Sequence, residues 1–169
     1  MGQSCSQKCC GEDKIKMDAP TMDAMRHSEH CQALSASDGL DTSSASYFEK
    51  ELPELTSMGD TGTDKDGERR KPHHFRTGAV YSGEWSGNRR HGFGVMRWPD
   101  GATYEGEWRH NSAEGKGRFV HADGDTYIGQ WRGNVAHGKG NYYHKDLTAY
   151  EGEWCQDLQE GYGVETWAE

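Results

Sequence analysis

Tyr81-Ser82-Gly83-Glu84-Trp85 is repeated as Tyr104-Glu105-Gly106-Glu107-Trp108, Tyr127-Ile128-Gly129-Gln130-Trp131 and Tyr150-Glu151-Gly152-Glu153-Trp154. The four starts, at 81, 104, 127 and 150, lie 23 residues apart without insertion or deletion. Seven residues after each Trp stands a Gly-x-Gly pair: Gly92/Gly94, Gly115/Gly117, Gly138/Gly140 and Gly161/Gly163. Gly101 and Gly124 then close Asp-Gly turns before the next Tyr. A fixed period of this length points to stacked supersecondary units, each too small to bury its own apolar face.

Each unit reads as a β-hairpin. Side chains alternate along a strand, so Tyr104, Gly106 and Trp108 share one face while Glu105 and Glu107 share the other. The eighth residue of each unit is Asn88, Asn111, Asn134 or Asp157. Asn and Asp tolerate a left-handed backbone, which places the hairpin turn there. The second strand then runs from Gly-x-Gly to the Asp-Gly turn, and a glycine lane lets the rings of the neighbouring strand lie against the backbone. Phe75-Arg76-Thr77-Gly78-Ala79-Val80 aligns with Trp98-Pro99-Asp100-Gly101-Ala102-Thr103, as the tail of a partial leading unit from residue 75. The third unit is less regular, because Asp146-Leu147-Thr148-Ala149 lacks the Asp-Gly turn.

This pattern resembles the MORN (membrane occupation and recognition nexus) repeats. The resemblance covers residues 81 to 169, and the family's usual turn Gly is replaced here by Asn88, Asn111, Asn134 and Asp157. It implies an all-β fold: an elongated, single-layer antiparallel sheet used as a scaffold, often dimeric, with some members bound to membranes or phosphoinositides. The fourth unit stops at Glu169 before its own closing turn. The expectation is therefore an open C-terminal sheet edge, available for a homodimer or another chain, or else a fragment of a longer protein.

Composition divides the chain near residue 72. All six tryptophans, seven of the eight tyrosines and 17 of the 23 glycines lie from His73 onward. Before that, only Tyr47 and Phe48 are aromatic. A segment so poor in bulky apolar groups buries too little surface to offset its ordering entropy. Three regions are thus expected: residues 1–10 as a leader, 11–72 as a disordered acidic linker and 73–169 as the repeat domain. Within the linker, Tyr47 to Leu55 is the one apolar cluster; it can dock a partner, pack on the repeats, or form a transient turn of helix broken at Pro53.

The leader carries the membrane signal. Met1-Gly2-Gln3-Ser4-Cys5-Ser6 fits N-myristoylation on Gly2. One myristoyl chain binds bilayers with an association constant of only about 10⁴ M⁻¹, so a second signal is needed. Palmitoylation of Cys5, Cys9 and Cys10 would supply it. Their spacing with His27, His30 and Cys31 fits no zinc motif, and no metal or cofactor is expected. No secretory signal is expected either, and an odd cysteine count argues against a disulfide framework. Cys155 is expected to be a lone surface thiol. Similar acylated leaders beside such arrays resemble those of protist cortical and inner-membrane-complex proteins.

Function follows by elimination. A net charge of −9, acidic in both halves, excludes an electrostatic footprint for nucleic acid. Gly-x-Gly once per repeat, outside any βα unit, is not a nucleotide loop, and no catalytic constellation is present. Glu84, Glu105, Glu107, Glu151 and Glu153 form an acidic face that repels anionic lipid. The candidate lipid contacts are Arg89 and Arg90, joined by Arg69, Arg70 and Lys71. Tyr81, Trp85, Tyr104, Trp108, Tyr127, Trp131, Tyr150 and Trp154 are the candidate contacts for a protein partner, such as a helical segment, because Tyr and Trp make good interface anchors. The expected role is a non-enzymatic scaffold tethered at a cytoplasmic membrane face, plasma membrane or inner cortical membrane. The alternatives are a phospholipid-binding module or the regulatory part of a larger lipid-signalling enzyme.

Overall fold

The computed structural model describes residues 4–9, 47–59 and 67–168. In chain order these form β1 (Ser4–Cys9), α1 (Leu52–Ser57), β2 (Glu68–Arg69), β3 (His73–His74), β4 (Val80–Ser86), β5 (Arg89–Arg97), β6 (Thr103–Arg109), β7 (Ser112–Val120), β8 (Thr126–Arg132), β9 (Val135–Tyr143), β10 (Ala149–Cys155) and β11 (Leu158–Thr166). One open sheet holds all the described strands. β4 to β11 pair in sequence order, every pairing antiparallel. The expected single-layer array of hairpins is the observed one.

Turn chemistry fixes the register. Gly87-Asn88, His110-Asn111, Gly133-Asn134 and Gln156-Asp157 are two-residue loops between paired strands. In the last three both residues have positive φ, the backbone of a type I′ turn, whose twist matches that of the flanking strands. The Asn or Asp side chain also reaches back one repeat. Asn111, Asn134 and Asp157 accept the backbone N–H of Arg90, Ala113 and Ala136 at 2.8, 2.8 and 2.6 Å. Turn and stacking are thus set by one side chain.

Between repeats the chain turns four times in the same way. Phe75, Trp98, His121 and His144 each exchange backbone hydrogen bonds with residues three and four further on. Gly78, Gly101 and Gly124 occupy the left-handed position of that turn, and Leu147 takes it in the irregular unit at φ 71°. The Asp-Gly turn was absent from the sequence there, yet its geometry is kept.

The two glycines of each Gly-x-Gly have different tasks, although both were expected to make room for rings. Gly92, Gly115, Gly138 and Gly161 have φ of 63–70°. Beside each of them lies a break in register between paired strands. The carboxylate or amide of Glu84, Glu107 or Gln130 folds over the break and accepts the N–H of Phe93, Lys116 or Lys139. Gly94, Gly117, Gly140 and Gly163 instead lie under the rings of Tyr81, Tyr104, Tyr127 and Tyr150, where a Cβ would come within 2.6 Å of ring atoms.

Two expectations change. The span 11–72 was read as a tether, but residues 47–59 fold onto the repeats, where Phe48 and Leu55 are buried, and β2 pairs with β4. Two adjacent aromatics and two leucines, Leu52 and Leu55, sufficed for a short segment once a ready apolar face could receive them. The C-terminal edge was read as open, but β1 pairs with β11 from Ser4↔Thr166 to Cys9↔Gly161. Unpaired edge N–H and C=O groups are a template for any extended segment, and here the chain's own leader takes it.

Candidate partner-binding groove

The Tyr and Trp rings form a continuous edge-to-face ladder along one face of the sheet. Each Tyr sits against its own Trp and against the Trp of the next unit. Centroids are 5.0 and 5.5 Å apart for Tyr81 (Trp85, Trp108), 5.0 and 5.3 Å for Tyr104 (Trp108, Trp131), and 5.2 and 5.2 Å for Tyr127 (Trp131, Trp154); Tyr150 lies 5.4 Å from Trp154. Perpendicular rings bring a positive edge to a negative face, which favours this arrangement.

Polar tips are satisfied within the ladder. Tyr81, Tyr104, Tyr127 and Tyr150 donate to the carbonyls of Glu84, Glu107, Gln130 and Glu153. Trp108, Trp131 and Trp154 donate Nε1–H to the carbonyls of Gly94, Gly117 and Gly140, one repeat back, at 3.2, 3.1 and 3.0 Å. Trp85 has no preceding full repeat, and its buried Nε1 makes no hydrogen bond. Burial pushes the Tyr81, Tyr104 and Tyr127 hydroxyls well above the usual phenol range.

All eight rings expected to meet a partner are buried. They form the floor of a groove, and over repeats one to three the occupant is the chain's own segment. Phe48, fully buried, lies 5.1–5.7 Å from the rings of Trp98, Tyr104, Trp108, Phe119 and Trp131. Tyr47 packs on Trp98 and Phe119 and donates its hydroxyl to Asp100 at 2.7 Å. That bond, followed by burial, pushes the Tyr47 pKa up to about 12. Glu51, also fully buried, accepts from Thr77 Oγ1 at 2.9 Å and from Trp98 Nε1 at 3.4 Å.

The segment crosses the face from one row of turns to the other. Asp100, in the turn between β5 and β6, holds its start. At its end, Asn88 in the β4–β5 turn donates Nδ2 to the carbonyls of Met58 and Gly59 at 3.0 and 2.8 Å. Glu54 accepts the N–H of Arg76 at 2.8 Å. Pro53 falls in the first turn of α1, where a missing N–H costs nothing; it starts the helix instead of breaking it.

The two arginines proposed for lipid separate. Arg89 is exposed, but Arg90 is wholly buried on the groove side, opposite Trp85. Its guanidinium sits 4.4 Å from the Trp108 ring and donates Nη2 to the carbonyls of Phe48 (3.0 Å) and Asn111 (2.9 Å). Nε and Nη1 make no hydrogen bond. Burial pushes its pKa down to about 10, with the field of Glu51 opposing. The β-bulge after Gly83 alters which residues oppose each other, and simple alternation did not foresee that. Two more members of the basic cluster are engaged: Arg69 pairs with Glu84, while Arg70 pairs with Glu68, bonds Asn88 and lies over Trp85.

The expected acidic face carries basic neighbours in register. Glu105 stands opposite Val95 and Arg118, and Glu153 opposite Lys139 and Glu160. Glu84 and Glu107 are the caps over the register breaks. Cys155 is buried and disulfide-bonded, unlike the lone surface thiol expected. Of the acylation candidates, Gly2 and Cys10 lie outside the described residues, and Cys5 and Cys9 are described only through the backbone of β1. Among the described residues no group of three or more His, Cys, Asp or Glu could hold a metal ion, and no helix is long and apolar enough to cross a membrane.

Sequence reasoning held Phe48 and Glu51 in a segment for which packing on the repeats was one of three alternatives, and missed Arg90 as a member of the groove. One signal was present. At the position of Arg90 the other repeats carry Ala113, Ala136 and Gln159, so a cation there breaks the repeat.

The MORN repeat family model matches residues 81–103, 104–126, 127–148 and 150–169, together more than half of the chain. A search of curated proteins found no match.

Proposed function

Since the chain belongs to the MORN-repeat family, we propose that it is a membrane-tethered scaffold whose aromatic groove holds a peptide segment of a protein partner at a cytoplasmic membrane face. MORN repeats are often membrane- or lipid-associated or protein-binding modules, and are generally non-catalytic. The observation that carries the protein-binding reading is the seated segment itself. A short helical peptide with Phe48 as its anchor fits the ring ladder, its ring centroid 5.1–5.7 Å from those of five aromatic side chains.

The membrane would be reached through acyl chains on Gly2 and on those of Cys5, Cys9 and Cys10 that are not bonded to Cys155, and not through the repeats. Arg90 is unavailable to a lipid headgroup, and Arg69 and Arg70 are paired. Gly2 is two residues from Ser4, at most about 7 Å of extended chain. With β1 on β11, the anchor would then sit at the C-terminal end of the sheet and not at the tip of a long tether. The membrane would be the plasma membrane or an inner cortical membrane, as in the protist proteins with such leaders.

The test separates the two parts. Gly2→Ala should move the full-length protein from the membrane pellet to the soluble fraction; persistence in the pellet would sink the acyl anchor. Flotation of the unacylated full-length chain with anionic vesicles should show no binding; co-flotation would favour lipid contact by the repeats. Proximity labelling from the acylated chain, with and without Trp108→Ala, should reveal partners that depend on the groove.

A further inference from the structure

We infer that Tyr47–Met58 is a displaceable occupant of the groove, and that Arg90 selects as its replacement a segment of another protein bearing an aromatic ring followed three residues later by a carboxylate. The inference rests on the groove being a protein-binding surface and names its regulation and its ligand.

Charge complementarity carries it. Arg90 places a cation on a floor otherwise made of rings, and Phe48 and Glu51 deliver a ring, a carbonyl and an anion to the same interior. A buried cation with no counter-charge is strongly disfavoured, so an occupant lacking the acid would be rejected. The ring alone would not discriminate, because every repeat offers Tyr and Trp; the acid is read only where Arg90 stands.

The fit of the present occupant is incomplete. Two of the three guanidinium nitrogens of Arg90 make no hydrogen bond, and Glu51 reaches Thr77 and Trp98 instead of Arg90. Buried donors without acceptors are costly. In the free groove water would satisfy them. A carboxylate placed directly on Nε and Nη1 would satisfy them better still, in the two-pronged geometry that suits a guanidinium. An outside segment whose acid reaches Nε and Nη1 directly can therefore outcompete the resident one, whose advantage is that it is tethered through the seven residues 60–66 and so is present at high effective concentration.

The experiment uses the full-length chain and a fluorescent synthetic peptide of residues 46–59. Phe48→Asp in the protein should empty the groove and raise peptide affinity at least tenfold over the unsubstituted chain. Leu55→Asp, at the other end of the segment, should do the same and covers the case where Phe48→Asp fails to fold. In the emptied background, replacing Glu51 by Gln in the peptide should weaken binding about tenfold, and Arg90→Met in the protein should erase that difference. Equal affinity of the unsubstituted and emptied chains would overturn the displacement while leaving the groove as a binding surface. Absence of binding to two folded, emptied chains would overturn both. A concentration-dependent dimer of the unsubstituted chain that the peptide dissociates would show the occupant to be a second copy, and would overturn the assignment to another protein.

Discussion

Arg90 Nη2 lies 3.0 Å from the carbonyl oxygen of Phe48, a residue 42 positions earlier in the chain. The bond ties an element outside the repeats to a cation that only the first repeat possesses. Arg90→Met should loosen the segment, because Glu51 is left buried without a nearby cation. Glu51→Leu should loosen it for the opposite reason. The double variant should be nearer the parent than the sum of the two, since apolar replacement of buried charges is often close to neutral. A coupling of roughly 1–2 kcal/mol is expected for groups that share one interior. Denaturant unfolding of the four proteins measures it, and strict additivity would show that the two charges do not sense each other.

Gly117 tests the floor of the groove. A Cβ there would come 2.5 Å from Tyr104 Oη and 2.6 Å from its Cε2. Gly117→Ala should cost about 3 kcal/mol, at the upper end of overpacking effects. Tyr104→Phe should cost roughly 1 kcal/mol by losing the hydrogen bond to Glu107, and it should not rescue Gly117→Ala, because the ring carbon clashes as closely as the hydroxyl. Rescue by Tyr104→Phe in a melting experiment would mean that the hydroxyl alone sets the fit.

These contrasts explain which parts of the molecule the sequence discloses. Tyr104, Gly106 and Trp108 recur at fixed spacing because the same contacts recur in every unit, and a period is visible without knowing what it packs against. The turn residues Asn111, Asn134 and Asp157 were legible for the same reason. Arg90, Phe48 and Glu51 act once each. Their roles depend on a β-bulge that changes the residue opposite Trp85 and on a contact spanning 42 positions, and neither leaves a local pattern. Composition marked the first 72 residues as too poor in apolar groups for a core of their own. It could not show that Tyr47 to Leu55 would borrow one. Glu84 and Glu107 read as surface charges in strand alternation, and their carboxylates also cap backbone N–H groups at the bulges, a role that alternation does not disclose.

Leu147 is the one non-glycine in its turn position, at φ 71°, where Gly78, Gly101 and Gly124 have 89°, 95° and 103°. A left-handed backbone costs an ordinary residue roughly 1–2 kcal/mol, and the entropy lost by glycine on folding returns about 0.4–1 kcal/mol of that. The Leu147 side chain is 77 % exposed, so little packing is lost with it. Leu147→Gly should therefore raise stability by roughly 0.5–1 kcal/mol, seen as a higher melting temperature. The reverse change, Gly124→Leu, should lower it. A neutral or destabilising Leu147→Gly would mean that the leucine makes a contact worth keeping.

The Tyr47–Asp100 bond gives the segment a defined pH window. Burial works to raise the Asp100 carboxyl, but the Tyr47 hydroxyl, the Ala102 N–H and Lys50 outweigh it and hold the group below its usual 3.8. A depressed carboxylate contributes its stability above the unfolded value and loses it as pH falls through the lower folded one. Tyr47 is the opposite case. Its hydroxyl is raised from 10.0 to about 12, so its contribution is whole below pH 10 and fades between 10 and 12. Closure of the segment over Trp98, followed by tryptophan fluorescence or by competition with the free peptide, should be flat from about pH 4 to about pH 10 and weaken on both sides. Tyr47→Phe should flatten both limbs, and Asp100→Asn should remove the acid one. Burial pushes the hydroxyls of Tyr81, Tyr104 and Tyr127 higher still, so they titrate after Tyr47. An alkaline limb that survives unchanged in Tyr47→Phe would therefore assign the opening to the groove floor and not to this bond.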